Sequence, residues 1–319
     1  MASQAVASNE FATMLARPHT SLWRDAWNRL ARNKAALLGL CVISFLLFVA
    51  IFADVLAPYH YAKQNHARTW EPPSPDHLLG TDELGRDVLS RLIYGARISM
   101  TVGVVAQFII LMVGVPLGSL AGWLGGKVDQ IIMRAVDILY AFPDLLLIII
   151  VMTYLRASLP HFQTGPLHFL ITLDTMMGGL LGVFLALGLT NWLTVSRLVR
   201  GQILSLKQKE FIEAARCIGA SDIRIMTRHL FPNILAPIII AATFGIPGAI
   251  MTEAGLSFIG LGVQAPMPSW GMMVSEGVRA LRSYPHLVTA PALAIAVTLL
   301  SFNFLGDGLR DALDPWMKK

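Results

Sequence analysis

The stretch EFIEAARCIGASDIRIMTRHLFPN, Glu210 to Asn233, is charged, basic and patterned for helix, yet it lies between two apolar runs. Thr175–Ser196 before it carries no charged residue over 22 positions, and Asn233–Thr252 after it carries none over 20. A helix needs about 20 apolar residues to cross the hydrocarbon of a bilayer, so the quoted stretch reads as a loop joining two spans. It is too long for a simple turn. Phe211, Ala215 and Ile218 recur at i, i+4 and i+7 and predict a short helix with one apolar face. Gly219 interrupts it, as glycine does just past a helix end, and Ser221 is placed to cap a second helix. In that helix Ile223, Met226 and Leu230 share a face and Arg224 and Arg228 form a basic edge, with Pro232 and Asn233 ending it. The spacing predicts a helix–turn–helix whose turn projects from the membrane surface.

Further out, the pattern of spans repeats. Ala35–Ala53 is free of charge over 19 residues and Ile98–Gly126 over 29. Only 14% of the 319 residues are charged and 55% are hydrophobic. Soluble domains carry about 25% charged residues, so there is too little charge here to cover a water-facing surface. Six spans are predicted, at 35–57, 98–123, 131–155, 176–197, 234–254 and 287–306. The first begins too late for a signal peptide and has no clear small-residue cleavage site after it, so it reads as a retained anchor. With the N-terminus inside, 17 Lys and Arg fall in inner segments and 8 in outer ones. That bias predicts both termini, and the 210–233 loop, on the cytoplasmic side.

The organisation expected is therefore a cytoplasmic tail (1–34), an anchor (35–57), an outer loop (58–97), a five-helix core (98–306) and a cytoplasmic tail (307–319). The tail ends in SLWRDAWNRLARNK, Ser21–Lys34, where Leu22, Trp23, Ala26, Trp27 and Leu30 face one way. That predicts an amphipathic helix in the headgroup plane. In the outer loop Leu84, Val88, Leu92 and Gly95 share a helical face, with Asp82, Arg86 and Asp87 elsewhere, which predicts an interfacial helix leading into span two. Pro116, Pro143, Pro237, Pro247 and Pro291 fall inside spans, where proline bends a helix.

Several chemistries fail on residue type. AGWLGGKV, Ala121–Val128, has Ala and Val where a phosphate-binding loop needs Gly and a hydroxyl, so the chain has no ATPase of its own. His60, His66 and His77 share the outer loop but no metal-site spacing, so no metal site is assigned. Asp137 and Asp144 lie two turns apart in span three, but Asp137 is expected to pair with Arg134 at i, i+3. No catalytic residue is assigned. Asp144, an ionisable group within a span, is expected at a transport pathway or a helix contact. Cys41 and Cys217 give no disulfide framework. The modest net charge of +5 carries no nucleic-acid signal.

Glu213-Ala214-Ala215, three residues and then Gly219 resembles the EAA loop of ABC-importer permease subunits, and its place before the second-last span strengthens the match. His229-Leu230-Phe231-Pro232 keeps the pattern's closing proline and departs from its Ile-x-Leu. GTDELGRDVLSRLIYGARIS (Gly80–Ser99), GLSFIGLGVQAPMPSWG (Gly255–Gly271) and FNFLGDGLRDALDP (Phe302–Pro315) resemble the C-type permease subunit of oligopeptide and dipeptide importers. Nickel importers share the architecture. The resemblance implies an all-α, six-span type I importer permease in a prokaryotic inner membrane. It implies a second permease, two cytoplasmic ATPase subunits that hold ATP and Mg²⁺, and an extracytoplasmic binding protein, with lipid around the spans. It makes the turn a coupling helix seated on the ATPase, with Glu213, Ala214, Ala215 and Gly219 carrying the motif and Ala220, Ser221 and Asp222 at the contact. The Gly- and Pro-rich segment 255–271 is expected to be an outer gate or a binding-protein contact through Ser269 and Trp270, with a structural re-entrant turn as the alternative. Autonomous carriers and membrane-embedded enzymes are the competing classes. The first calls for coupling-ion sites in paired broken helices and the second for a convergent site, and neither is visible.

Overall fold

The structure, a computed structural model, describes residues 22–158, 168–177 and 179–313. Residues 1–21 and 314–319 of the two expected tails lie outside the described residues. Among the described residues thirteen α-helices follow one another: α1 (Leu22–Leu30), α2 (Lys34–Ile51), α3 (Ala53–Leu56), α4 (Val88–Leu124), α5 (Gly126–Tyr140), α6 (Asp144–Ser158), α7 (His168–Met176), α8 (Leu181–Lys207), α9 (Glu210–Cys217), α10 (Asp222–Ile225), α11 (Phe231–Phe258), α12 (Trp270–Val278) and α13 (His286–Leu313). Among the described residues five stretches are long and apolar enough to cross a membrane: α2, α4, α8, α13, and α11 together with the turns that lead into it from Asp222.

A sixth candidate span is made of two helices set at an angle. Span three, expected as one helix over 131–155, is the pair α5 and α6, bent by 94°. Ala141, Phe142 and Pro143 separate them. Proline lacks the N–H that would continue the helical bonding, and its ring disfavours helix at the residue before it. The pair still runs the length of the bundle. Arg200 of α8 takes both carboxylate oxygens of Asp129 at 2.5 and 2.6 Å at one end. Arg156 at the other end donates to the carbonyls of Gly260, Leu261 and Gly262. Asp137 pairs with Arg197 at 2.6 Å, not with Arg134 as expected, because the packing of α8 on α5 brings a guanidinium to it.

The central packing is α4 against α8, and the two run parallel. Gly114, Gly118 and Gly122 form a small-residue ridge on α4. A Cβ on Gly118 would lie 2.4 Å from the Ser196 carbonyl oxygen, and one on Gly122 3.0 Å from that of Arg200. Among apolar neighbours such small residues let backbones approach closely, which is how helices gain contact where lipid is as apolar as leucine. Antiparallel to α4, α11 packs Ile246 and Ile250 against Gly103. Then α13 joins α2 and α11, burying Ile43, Met100, Ile250 and Phe302 together.

Two boundary expectations change. Residues 77–87 do not form an interfacial helix. Gly80 and Gly85 have φ of +74° and +69°, so the chain turns twice there, and α4 begins only after Asp87 caps it through Ser90 N at 2.7 Å. From there α4 is continuous for 37 residues. The amphipathic segment at the N-terminus is helical but packs on the bundle. Ala26 and Leu30 are buried with Ala36 and with Ala312 of α13, while Trp27 stays exposed. So 307–313, expected in a free tail, continues α13.

Candidate functional site

At the end of the bundle marked by Trp123, the chain between α8 and α11 builds a short knob. Helix α9 ends on Gly219 at φ +80°. Gly219 N–H bonds the Arg216 carbonyl at 2.9 Å and Ala220 N–H bonds the Ala215 carbonyl at 3.0 Å. This paired closure satisfies the last carbonyls of the helix and needs a left-handed residue between them. Ser221 Oγ then accepts from Arg224 N–H and starts α10. A π-turn, Met226–Leu230, carries the helix into α11. Pro232 therefore does not end the second helix, as expected, but lies in the first turn of α11, where its missing N–H costs little.

The buried stripes also differ from those expected. Ile212 and Ala215 face inward on α9, whereas Phe211 and Ile218 are exposed. On the second arm Ile225, Leu230 and Ile234 are buried, and Ile223 is exposed. The steps of five and then four residues between the buried positions follow from the π-turn, which adds a residue to one turn. Ile212 and Ile225 seat the knob in a cluster with Trp123, Val199 and Ile203, each contributing about 1.5–3 kcal/mol by burial. Lys207 Nζ donates to the Trp123 carbonyl at 2.6 Å, and the Arg216 guanidinium lies 5.2 Å from the Trp123 ring. The outer surface holds Glu213, Ala214, Gly219, Ser221 and Asp222, all exposed, and Ala220, half-buried. Ala215 is buried in the seat. Between the exposed groups stand Ile218 at 86% and Ile223 at 76% exposure. The two short arms, joined by a tight turn, thus carry two bare isoleucines at their tip.

At the opposite end the segment 259–269 folds back onto α11. Glu253 is fully buried, and its Oε1 accepts from Ser257 Oγ at 2.5 Å and Ser269 Oγ at 2.8 Å. Ser269 Oγ also accepts from Met272 N–H and caps α12. Trp270 N–H donates to Ser99 Oγ, and its indole N–H donates to the Leu92 carbonyl at 3.0 Å. Ser269 and Trp270 are thus buried, at 0% and 1% exposure, and hold the base of the segment. Its exposed residues are Ile259 and Gly260 where it leaves α11, and Gln264, Ala265 and Pro266 further on.

Beside it lies an ion cluster that sequence patterning missed. Asp82 Oδ2 meets Arg86 Nε at 2.6 Å and Arg91 Nη1 at 2.5 Å, and Arg91 Nη1 reaches Glu276 Oε2 at 2.6 Å. Asp82, Arg86 and Arg91 are buried. His77 Nδ1 lies 2.9 Å from Asp87 Oδ1. The glycines at 80 and 85 were the available signal, since they deny helix to the segment that brings these charges together. Asp144 is exposed, at the first position of α6 beside the break. Nothing brings it near the knob or the folded-back segment. Among the described residues no three His, Cys, Asp or Glu side chains gather as a metal site.

Residues 114–319 match the family described as binding-protein-dependent transport system inner membrane component, and residues 21–73 match the N-terminal TM domain of oligopeptide transport permease C. The chain is 41% identical over 319 residues to the oligopeptide transport system permease protein OppC of Bacillus subtilis (strain 168), covering 100% of this chain and 98% of that one. It is 41% identical over 312 residues to the dipeptide transport system permease protein DppC of the same organism, covering 98% of this chain and 91% of that one. Among solved structures, a chain of the inward-facing MetNI methionine ABC transporter superposes with a TM-score of 0.54 at 19% identity, over 71% of this chain and 97% of that one.

Proposed function

Because this chain belongs to the family of binding-protein-dependent transport system inner membrane components, we propose that it is the C-type permease subunit of an ABC importer for dipeptides and oligopeptides. The oligopeptide and dipeptide assignments of its full-length relatives support the substrate class. The pathway forms between this chain and a second permease. Energy comes from two separate ATPase subunits that hold ATP and Mg²⁺, and substrate arrives on an extracytoplasmic binding protein. The excess of Lys and Arg at the Trp123 end supports placing that end, with both termini, in the cytoplasm.

The observation that carries the mechanism is the knob. Glu213, Ala214, Ala215 and Gly219 shape it, and Ala220, Ser221 and Asp222 present its contact surface to the ATPase, with Ile218 and Ile223 as apolar anchors. Closure of the ATPases on ATP displaces the knob. Its seat on Trp123, Val199 and Ile203 passes the displacement to α4 and α8, whose close backbone packing moves them together. ATP shifts the permease between inward- and outward-facing states only as far as the two states differ in binding energy, so a compliant knob would waste the input. Asp144, exposed at the break in the third crossing, is assigned to the pathway wall. A contact with the binding protein through segment 259–269 falls to Gln264, Ala265 and Pro266, with Ser269 and Trp270 fixing the segment that presents them.

The test is uptake into vesicles bearing the complete complex, with labelled di-, tri- and longer peptides and nickel offered in parallel. Peptide uptake that needs both ATP and the binding protein is expected. Uptake of nickel alone overturns the substrate class. Transport that proceeds without the ATPases overturns the importer. Ile218→Asp with Ile223→Asp is expected to leave the chain inserted and abolish substrate-stimulated ATP hydrolysis; unchanged hydrolysis removes the knob from the mechanism.

A further inference from the structure

Where the outer loop meets the start of α4 and one face of α12, the ion cluster borders a cavity of about 20 Å³. Trp70, Asp82, Glu83, Arg91, Met273 and Glu276 line it. Arg91 is 2% exposed, and its hydrogen bonds occupy one nitrogen only. Nη1 donates to Asp82 Oδ2 at 2.5 Å and to Glu276 Oε2 at 2.6 Å. Nε and Nη2 are buried as well, and no acceptor among the described residues reaches either. A guanidinium carries five N–H donors in a fixed fork. A buried ion pair is sustained only where further hydrogen bonds satisfy the protons that the pair itself leaves over. The protein supplies none for these.

Size and charge identify what completes the cluster. Roughly 10–15 Å³ of such space holds one water, so the 20 Å³ here admits one molecule of that size and nothing larger. Three carboxylates, Asp82, Glu83 and Glu276, line the cavity against the single guanidinium of Arg91. Arg86, bonded to Asp82 and Glu276, is the second base of the cluster. Three acids against two bases disfavour an anion. The positions still to be filled are N–H donors, which repel a cation. The occupant must therefore be neutral, accept from the guanidinium and donate to a carboxylate.

We propose that this cavity binds one water molecule as a fixed member of the cluster, accepting from Arg91 Nε or Nη2 and donating to the Glu276 carboxylate. Among the described residues the arginines take only Oε2 of that carboxylate, which leaves Oε1 for the water. The bridge completes a tie between the outer loop, α4 and α12, whose residues 82, 91 and 276 are far apart in the chain. The inference concerns a part of the molecule that the peptide assignment does not use, so failed peptide uptake leaves it standing.

The probe is water itself, by X-ray radiolytic footprinting of the complete complex. A hydroxyl radical made from a bound water attacks the side chain beside it, whether or not bulk solvent reaches that side chain. Met273 lines the cavity and is 4% exposed. Met100 is 2% exposed and packs in an apolar cluster with Ile43, Ile250 and Phe302. Met273 is expected to form sulfoxide at least several-fold faster than Met100. Val88→Ile adds a methyl to the cavity lining. It is expected to displace the water, slow Met273 to the rate of Met100 and lower the unfolding midpoint, because the Arg91 N–H groups lose their acceptor. Met273 as slow as Met100 in the unaltered chain overturns the proposal. So does fast oxidation that survives Val88→Ile, since bulk solvent then reaches Met273. A midpoint raised by Val88→Ile also overturns it, because the methyl would be filling a dry void. Where Val88→Ile fails to assemble, a map of the unaltered complex fine enough to show ordered water decides. A peak within hydrogen-bond reach of Arg91 Nε or Nη2 is expected, and ordered water elsewhere with none there overturns the site.

Discussion

Replacing Arg91 with methionine tests whether the ion cluster beside α12 is a desolvated structural tie. Arg91 has only 2% of its side chain exposed and bridges Asp82 at 2.5 Å and Glu276 at 2.6 Å. Without it, Arg86 alone must neutralise both carboxylates, at 2.6 Å from Asp82 and 3.2 Å from Glu276. One negative charge is then left uncompensated, where the Asp82 and Glu276 side chains are only 9% and 19% exposed. Breaking a buried pair by removing one partner costs about 3–5 kcal/mol, mostly from the charge left behind. Arg91→Met is therefore expected to destabilise the protein by about that amount. Adding Glu276→Gln restores the balance of one acid against one base, and the double variant is expected to recover about 1–3 kcal/mol of the loss, a coupling typical of directly paired residues. Arg68→Met is the control. Arg68 pairs with Asp76 at 3.0 Å, but the two side chains are 43% and 64% exposed, and water screens such a pair. The assay is reversible unfolding in mixed micelles by SDS titration, followed by circular dichroism. If Arg91→Met costs no more than Arg68→Met, or the double variant is less stable than Arg91→Met, the argument from a buried uncompensated charge is wrong.

Three further outcomes are expected. Gly118→Val should abolish folding yield by driving a side chain into the Ser196 backbone 2.4 Å from where its Cβ would sit, while Gly201→Ala, which meets nothing within 4 Å, should stabilise α8 by about 0.5–1 kcal/mol; similar yields for both would deny the close α4–α8 approach. Arg156→Met should raise deuterium uptake over 259–269 and little elsewhere, because it frees the carbonyls of Gly260, Leu261 and Gly262; unchanged uptake in that segment would show that the clamp holds nothing. The Arg97 guanidinium holds the Asp54 carboxyl below its ordinary 3.8. A lowered folded value means that the tie's contribution is complete above the ordinary value and fades as pH falls through the folded one. Infrared titration of Asp54 should accordingly show an ionised carboxylate through mildly acid pH, and a titration at or above 3.8 would contradict the pairing.

Much of the architecture was legible in the sequence because a bilayer makes local composition decisive. A helix in lipid must satisfy its own backbone and be apolar along its length, so charge-free runs located the spans without reference to contacts. The knob was legible for a similar reason. Gly219 and Ser221 act on their immediate neighbours, so the turn and the second cap could be read from residue type. The glycine ridge at 114, 118 and 122 was equally open to reading from its spacing, and only the packing of α8 on it makes its purpose plain.

What the sequence left open depends on groups far apart in the chain. Periodicity assigned Phe211, Ala215 and Ile218 to the buried face of α9, but the seat offered by Trp123 and Ile203 takes Ile212 instead and leaves Ile218 bare. The π-turn at 226–230 shifts the phase of everything after it, and no local propensity announced it. Asp82 and Arg86 were placed only off the apolar face of an expected helix, whereas Glu276, 185 residues beyond Arg91, lies 2.6 Å from it and draws the cluster together. Ser269 and Trp270, expected either at a contact surface or in a structural re-entrant turn, lie buried at the base of the segment, because Glu253 and Leu92 bond them from two other helices. The sequence by itself determined where the long apolar spans lie, their order and the place of the turn at Gly219, since these follow from each segment's exchange with lipid and water. The tertiary structure decided which side chains face inward and which charges are desolvated, since burial and pairing belong to the space between segments and exist only once they have packed.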